Sequence, residues 1–348
     1  MPEGDTIHKA AAKLRPALEG ASLVRFEAAR ASGAVPRPGT TITAVEAQGK
    51  YLLIRFADGH VLQTHLKMTG RWDLYRTGER WWKPAYLARA VIEVDGWTAV
   101  CFSAPVVRII RVKPDDRRLE PGDGTGPAPG AGGESATADE TKPTSSWQWI
   151  DATAVGAVAS AQPVGQADPL EASAANEPAR SDRETRSRPG DGLGSHRDQR
   201  YASLDHLGPD LCVAGVDLDL AVRRMDTVAS LEDDIADVLL DQRVAAGIGN
   251  VYKSEVLWAC RLHPLTPLSQ VDDALRRQLY ETAATQLQAN LTTRRRTTVA
   301  GPPGSVAVYN RSRRPCRRCG TPIRWKRTGR DHRSTYWCPR CQPGPAAR

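Results

Sequence analysis

No apolar run in this 348-residue chain approaches the ~18 residues that a membrane-spanning helix requires, and mean hydropathy is −0.46. An integral membrane protein is therefore not expected. The first ten residues, MPEGDTIHKA, lack the apolar segment of a secretory signal, so a cytoplasmic location is expected. Acidic residues are nearly missing from the C-terminal end: between Leu291 and Arg348, fourteen Arg and one Lys face a single acid, Asp331. The cysteines are seven, an odd number, and four of them stand in two close pairs. In a chain without an export signal that pattern favours metal over disulfides.

The formal charge of +8 hides this asymmetry: the last 58 residues carry +14 and the first 290 carry −6. A basic end of this density points to a polyanionic partner. A disordered solubilising tail would share the charge, but this one also holds both cysteine pairs and Trp325, Tyr336 and Trp337. The length predicts two or three folded units plus linker.

Residues 1–113 read as a β-rich unit. Tyr51–Phe56 and Ala90–Val94 have strand character, and Asp58-Gly59 and Asp95-Gly96 are hairpin signals. Ahead of them Ile7, Ala11, Leu14 and Leu18 recur at helical spacing, so a helix is expected from about residue 3. Composition breaks at Pro114. From Pro121 to Ser160, 28 of 40 residues are Gly, Pro, Ala, Ser or Thr, too few apolar groups to offset the entropy of ordering. Residues 114–203 are therefore expected to be a disordered insertion, with Trp147 and Trp149 a possible docking element. Residues 204–300 read as helical. Ser230 is expected to cap a helix carrying Ile235, Val238 and Leu239, with Glu232, Asp233 and Asp234 in its first turn. A second helix follows Asn250, and a third spans about Asp272 to Leu291. Residues 301–342 form the cysteine-bearing unit, and 343–348 a tail.

Cys316-x2-Cys319 and Cys338-x2-Cys341 supply four thiolates that can close a tetrahedron around one Zn²⁺ at about 2.3 Å. No coordination position is left for water, so this zinc is structural. The strands on either side of Thr328-Gly-Arg330 would make it a stapled β-hairpin whose arginines can face phosphates. Gly247-Ile-Gly249-Asn250 is a tight turn at a helix start, a potential phosphate seat, although simple capping has the same signature. Once Met1 is removed, Pro2 presents a secondary amine. An α-amine has a pKa near 8, low enough for a share of it to attack an aldehyde-like carbon at neutral pH, and Glu3 beside it can handle protons.

Several motifs in fixed order carry a resemblance: MPEG at the start, Gln48-Gly-Lys50-Tyr-Leu-Leu-Ile, His65-Leu-Lys-Met-Thr-Gly70, Leu207-Gly-Pro-Asp210, Asp241 to Asn250, and the finger ending Tyr-Trp-Cys-Pro-Arg-Cys-Gln342. Over 1–113 and 204–342 the chain resembles the formamidopyrimidine-DNA glycosylases and endonuclease VIII proteins, and its start and its Tyr336-Trp337 look more like the endonuclease VIII branch.

The resemblance implies an α+β multidomain protein: a β-sandwich with flanking helices, a helix–two-turn–helix domain and a β-hairpin zinc finger. It implies a monomeric bifunctional glycosylase/AP lyase of base excision repair, nucleoid-associated, acting on double-stranded DNA with an oxidised base or abasic site. Pro2 would be the Schiff-base nucleophile, Glu3 the general acid/base, and Lys50 a phosphate and proton-transfer lysine. Asn250 and Arg333 would hold phosphate, Arg333 also assisting elimination, and Met68 would fill the gap left by an extruded nucleotide. Oxidised pyrimidines are the expected substrates. Oxidised purines, or a catalytically silent zinc-finger DNA-binding protein, are the alternatives. The chain departs from the family pattern at Asp5-Thr6, in the loop Phe102–Arg108, where an Arg/Phe wedge is expected, and in the insertion.

Overall fold

The computed structural model describes residues 2–29, 31, 33–111 and 204–345. The insertion expected at 114–203, Trp147 and Trp149 included, lies outside the described residues.

The chain opens with helix α1 (Gly4–Leu18), and the expected stripe of Ile7, Ala11, Leu14 and Leu18 is its buried face. Eight strands follow: β1 (Leu23–Glu27), β2 (Ile42–Gln48), β3 (Tyr51–Phe56), β4 (His60–His65), β5 (Arg71–Arg76), β6 (Ala88–Val94), β7 (Trp97–Phe102) and β8 (Val106–Arg111). They form two antiparallel four-stranded sheets, in the orders β1-β6-β7-β5 and β2-β3-β4-β8. Val45, Leu52, Ile54 and Leu62 of one sheet and Trp72, Ile92, Val94 and Ala99 of the other share a core with α1. The Trp72 indole N–H donates across it to Thr64 Oγ1 at 3.1 Å, which satisfies the only polar atom that the large ring brings inside.

The helical part comprises α2 (Leu218–Val228), α3 (Ile235–Leu240), α4 (Asn250–Ala259) and α5 (Asp273–Ala289) around a second core. The third expected helix keeps its apolar face: Leu279 and Leu287 are buried and Asp272 caps its start by accepting from Leu275 N–H. One expectation is corrected. Ser230 does not cap α3. Asp234 occupies that position, and Ser230 instead donates its N–H to Asp233 Oδ2 in the preceding turn. The helix begins only at Ile235, after the three acids, and its first N–H groups donate to Thr266 O at 2.9 Å and Pro264 O at 3.1 Å, so no side chain is needed as a cap. Ser230 Oγ accepts from Glu232 N–H at 3.3 Å.

The finger is a hairpin of β9 (Arg324–Thr328) and β10 (Arg333–Trp337), paired from Arg333↔Thr328 to Trp337↔Arg324. The architecture is thus α+β: sandwich, helical domain and zinc-finger hairpin. Leu204 and Leu207 bring the chain back onto the outer face of the second sheet, where they pack with Leu53, Val61 and Ala246. That contact fixes the sandwich relative to the helices. Among the described residues no helix is long and apolar enough to cross a membrane.

Candidate active site

Glu3 is fully buried, and the reason is α4. Its Oε2 accepts from Gly249 N–H at 3.1 Å and Tyr252 N–H at 3.3 Å, and its Oε1 from Val251 N–H at 2.9 Å. These are the orphan donors of a helix start, where the dipole also favours negative charge. Gly4 N–H donates to Gly247 O at 2.9 Å, so the extreme N-terminus is tied to this turn. Gly249 must lack a side chain: a Cβ there would stand 2.5 Å from Glu3 Cδ.

The turn at 247–250 is therefore not an empty phosphate seat. Glu3 occupies its donors from 246 residues away in sequence, a pairing that no local pattern announces. Gly249, not Asn250, is the cap position, and Asn250 is the first helical residue, with 6 % of its surface exposed. Its side-chain amide makes no hydrogen bond to the described residues.

Lys50 stands at the turn between β2 and β3. Gly49 before it has φ +57°, donates its N–H to Asp210 Oδ2 at 2.7 Å, and has no room for a Cβ, which would meet Ala246 Cβ at 2.9 Å. Asp210 also takes His8 Nε2 at 2.9 Å and Cys212 N–H at 3.0 Å, so the Leu207–Asp210 motif knots α1, the Lys50 turn and the helical domain together. Half-buried Lys50 has its ammonium pushed down to about 8, by burial first and by Arg333 next, with Glu3 opposing. Lys253, on α4, is likewise pushed down to about 8 by burial and Arg333, against Asp237 and Glu3. Each lysine thus feels Glu3 and Arg333, so charges on the sandwich, the helical domain and the finger lie within electrostatic reach of both lysines.

Lys253 is the residue that sequence reasoning missed. Only 1 % exposed, it donates from Nζ to Thr335 Oγ1 at 2.8 Å and Ser334 O at 3.2 Å, beside Arg333 at the start of β10. The signal available was a charge among α4's apolar neighbours, but its partners lie 81 and 82 residues away. Arg333 itself is exposed, with Nη2 at 3.1 Å from Asp331 Oδ2. Asp5, the position of departure, is buried and paired with Arg296 (Nε–Oδ2 3.1 Å, Nη2–Oδ1 2.5 Å). Burial alone would raise its carboxyl, yet the Arg296 guanidinium and Lys9 hold it below the usual range. Arg296 Nη1 also approaches Glu3 Oε1 at 3.9 Å.

Pro2 is half-buried, immediately before Glu3. Met68 is 65 % exposed on the loop after β4, which removes the reading of it as core. His65, at the end of β4, accepts from Lys67 N–H at Nδ1 (3.1 Å), and burial with Lys67 and Lys50 nearby pushes it down to about 4, so the ring is neutral at physiological pH. Cys101 and Cys212 are buried with their thiols pushed up by burial, and half-buried Cys260 is also raised.

The four finger thiols suit zinc. Their Sγ atoms all lie within 4.8 Å of one another, with Cys316–Cys341 at 3.9 Å and Cys319–Cys338 at 3.4 Å. A ZnS₄ tetrahedron built on 2.3 Å bonds has edges of about 3.8 Å. Arg318 N–H, Cys341 N–H and the Trp258 indole N–H point at these sulfurs, each at 3.4 Å, as donors to thiolates do. One structural zinc on Cys316, Cys319, Cys338 and Cys341 follows. Arg318 lies 4.0 Å over the Trp258 ring, and Gln342 Nε2 donates to Leu262 O at 2.8 Å, so the finger is bolted to the end of α4.

Comparison with known proteins agrees with this arrangement. Residues 1–105 match the model of the formamidopyrimidine-DNA glycosylase N-terminal domain, 207–300 that of the formamidopyrimidine-DNA glycosylase H2TH domain, and 314–344 the zinc finger found in FPG and IleRS. The chain is 31% identical to "Probable endonuclease 8 2" of Streptomyces coelicolor over 354 aligned residues, covering 100% of this chain and 96% of that protein. It is 29% identical to "DNA-(apurinic or apyrimidinic site) lyase Nei2" of Mycolicibacterium smegmatis, over 98% of this chain and 99% of that one. In fold it is similar to the Lactococcus lactis Fpg solved with abasic-site DNA, with a TM-score of 0.61 at 16% identity over 98% of this chain and 100% of that one. With one relative above 30% identity along its whole length and the family's three modules in order, this chain belongs to the formamidopyrimidine-DNA glycosylase/endonuclease VIII family, on its endonuclease VIII branch.

Proposed function

We propose that this protein is a bifunctional DNA glycosylase/AP lyase of base excision repair that removes oxidised bases, pyrimidines in particular, through a Schiff base on Pro2. The observation that carries the reading is the convergence just described. The residue after Pro2 is clamped to the start of α4, and its charge bears on Lys50 of the sandwich and Lys253 of the helical domain, both of which also feel Arg333 of the finger.

Chemically, the unprotonated Pro2 nitrogen forms a bond to C1′ as the bond from C1′ to the base breaks, and the base leaves with a proton. Ring opening gives an iminium. Loss of a C2′ proton then expels the 3′ phosphate, and a second elimination expels the 5′ phosphate. Glu3, the next residue in the chain, is assigned the proton transfers that these steps require. Lys50, Arg333 and the unpartnered amide of Asn250 offer donors for the flanking phosphates. Exposed Met68 is apolar enough to occupy the hole left by an extruded nucleotide. The choice of pyrimidines over purines rests on the likeness to relatives named endonuclease 8 rather than formamidopyrimidine-DNA glycosylase. A monomer at work on the nucleoid in the cytoplasm completes the proposal.

The test is borohydride trapping on duplex DNA with one abasic site, followed by peptide mapping. Wild type is expected to give an adduct on the peptide that begins with Pro2, reduced at least a hundredfold in Pro2→Gly. An adduct on a lysine, or an intact Met1 in active protein, removes the proposed nucleophile. Comparing release of 5-hydroxyuracil with that of 8-oxoguanine decides the substrate class.

A pH dependence follows from Lys50. Its cation is complete below about 8 and is lost as pH rises through that value. Affinity for abasic-site DNA should therefore fall between about pH 7.5 and 9, and the drop should shrink in Lys50→Met, which starts from weaker binding. A drop of unchanged size in that variant would show that Lys50 is not the phosphate ligand.

A further inference from the structure

One end of the sandwich carries more than the site requires. Lys50 immediately precedes β3, and His65 closes β4 opposite Tyr51 and Val106, so the loops Leu66–Gly70 and Ser103–Pro105 emerge at the same end as Lys50. Thr69 Oγ1 donates to Ser103 O at 2.9 Å, and Ser103 N–H donates to Leu87 O at 2.8 Å. The Met68 loop, the loop before β8 and the short 3-10 turn Ala85–Leu87 are thus three adjacent ridges. On the outermost, Tyr86 is 78 % exposed, its ring stacked on no other ring among the described residues, and Trp82 nearby in the chain is 57 % exposed.

This edge is held firmly. Trp81 turns inward onto Phe102 and Tyr75, with ring centroids 5.8 and 6.4 Å away. The Trp82 indole N–H donates to Asp73 Oδ2 at 3.2 Å, with Arg71 at 4.7 Å and Lys83 at 5.1 Å from its ring centroid. Arg89 Nη1 donates to Tyr86 O at 3.0 Å. From Lys67 to Arg89 there are six cations and two acids, and one of the acids, Asp73, is buried. Exposed aromatic rings set among cations are what a single strand of nucleic acid needs: stacking for its bases and charge for its phosphates. A protein partner would leave that charge unmatched unless it were acidic, whereas DNA supplies it at every nucleotide.

We propose that Tyr86, four residues on from exposed Trp82, is a stacking platform for unpaired DNA bases, so that single-stranded or bubble DNA running past the Met68 loop is bound in addition to duplex. This rests on the proposed function only in taking DNA as the polymer at this end of the sandwich. It also gives a contact from β6's approach in a chain whose loop Phe102–Arg108 carries no Arg/Phe wedge.

The experiment is fluorescence anisotropy of the full-length, zinc-loaded protein with a labelled dT15 single strand, a bubble, and a matched duplex. Tyr86→Ala should weaken dT15 and bubble binding about tenfold and duplex binding much less, with an unchanged salt slope because no phosphate contact is lost. Tyr86→Phe should stay within twofold of wild type. The proposal is overturned by wild-type dT15 binding in Tyr86→Ala, by an equal loss on all three DNAs, or by Tyr86→Phe losing as much as Tyr86→Ala. Because the readout needs no turnover, the two proposals fail separately. Tyr86-dependent dT15 binding without borohydride trapping removes only the catalytic reading. Trapping with Tyr86-independent binding removes only the platform.

Discussion

Glu3→Gln is expected to lower base release by 10²- to 10⁴-fold, the usual cost of removing a positioned acid/base group, while duplex binding stays within about threefold. The substitution is isosteric but not innocent. Glu3 accepts three backbone N–H groups at the start of α4, and an amide would turn its own NH₂ towards some of those donors. A lost charged hydrogen bond in a buried place costs ~1.5–3 kcal/mol, so thermal unfolding should shift down as well. Gly249→Ala separates the two effects. It keeps the carboxylate but pushes it from its place, since the new Cβ would meet Glu3 Cδ at 2.5 Å. If position matters as well as charge, Gly249→Ala also loses most of its base release with DNA binding retained. Glu3→Gln keeping more than a tenth of wild-type base release would sink the assigned role.

Removing zinc is the second large effect. Stripping the metal, or Cys338→Ser, should unfold the hairpin, because structural Zn²⁺ in such fingers contributes on the order of 10–16 kcal/mol of apparent folding free energy. The two main cores contain none of the four ligands and should survive, leaving helical circular dichroism nearly intact. What goes is the partner of Lys253, Ser334 and Thr335 of β10, and with them the place of Arg333. Duplex affinity should then fall at least tenfold, and its salt dependence should become shallower by about one phosphate contact or more. Arg333→Ala in zinc-loaded protein should reproduce the single-contact part. Unchanged affinity after verified metal loss would contradict the finger's part in binding DNA.

Much of this molecule is written locally. Helix α1 and its buried stripe follow from the spacing of Ile7, Ala11, Leu14 and Leu18, and the finger from two CxxC knuckles around a hairpin turn. Both depend on contacts within a few residues or on a metal that tolerates one geometry. Ser230 was a weaker inference, because the first N–H groups of α3 are taken by the backbone carbonyls of Pro264 and Thr266, a tertiary contact that no local pattern announces.

Composition, periodicity and spacing by themselves determined a β-rich unit followed by a helical one, the zinc site and the residue types available for imine chemistry, since each is a property of short segments. The full α+β architecture came through the family resemblance that the motif order carries. Only the tertiary structure decided that the helix start at Gly249 holds Glu3 instead of standing open, and that Asp5 is matched by Arg296. It alone showed that Lys253 ties α4 to the strand bearing Arg333. The physical reason is the same in each case. A buried charge must find its partner wherever the fold brings one, and here those partners lie 81 to 291 residues away.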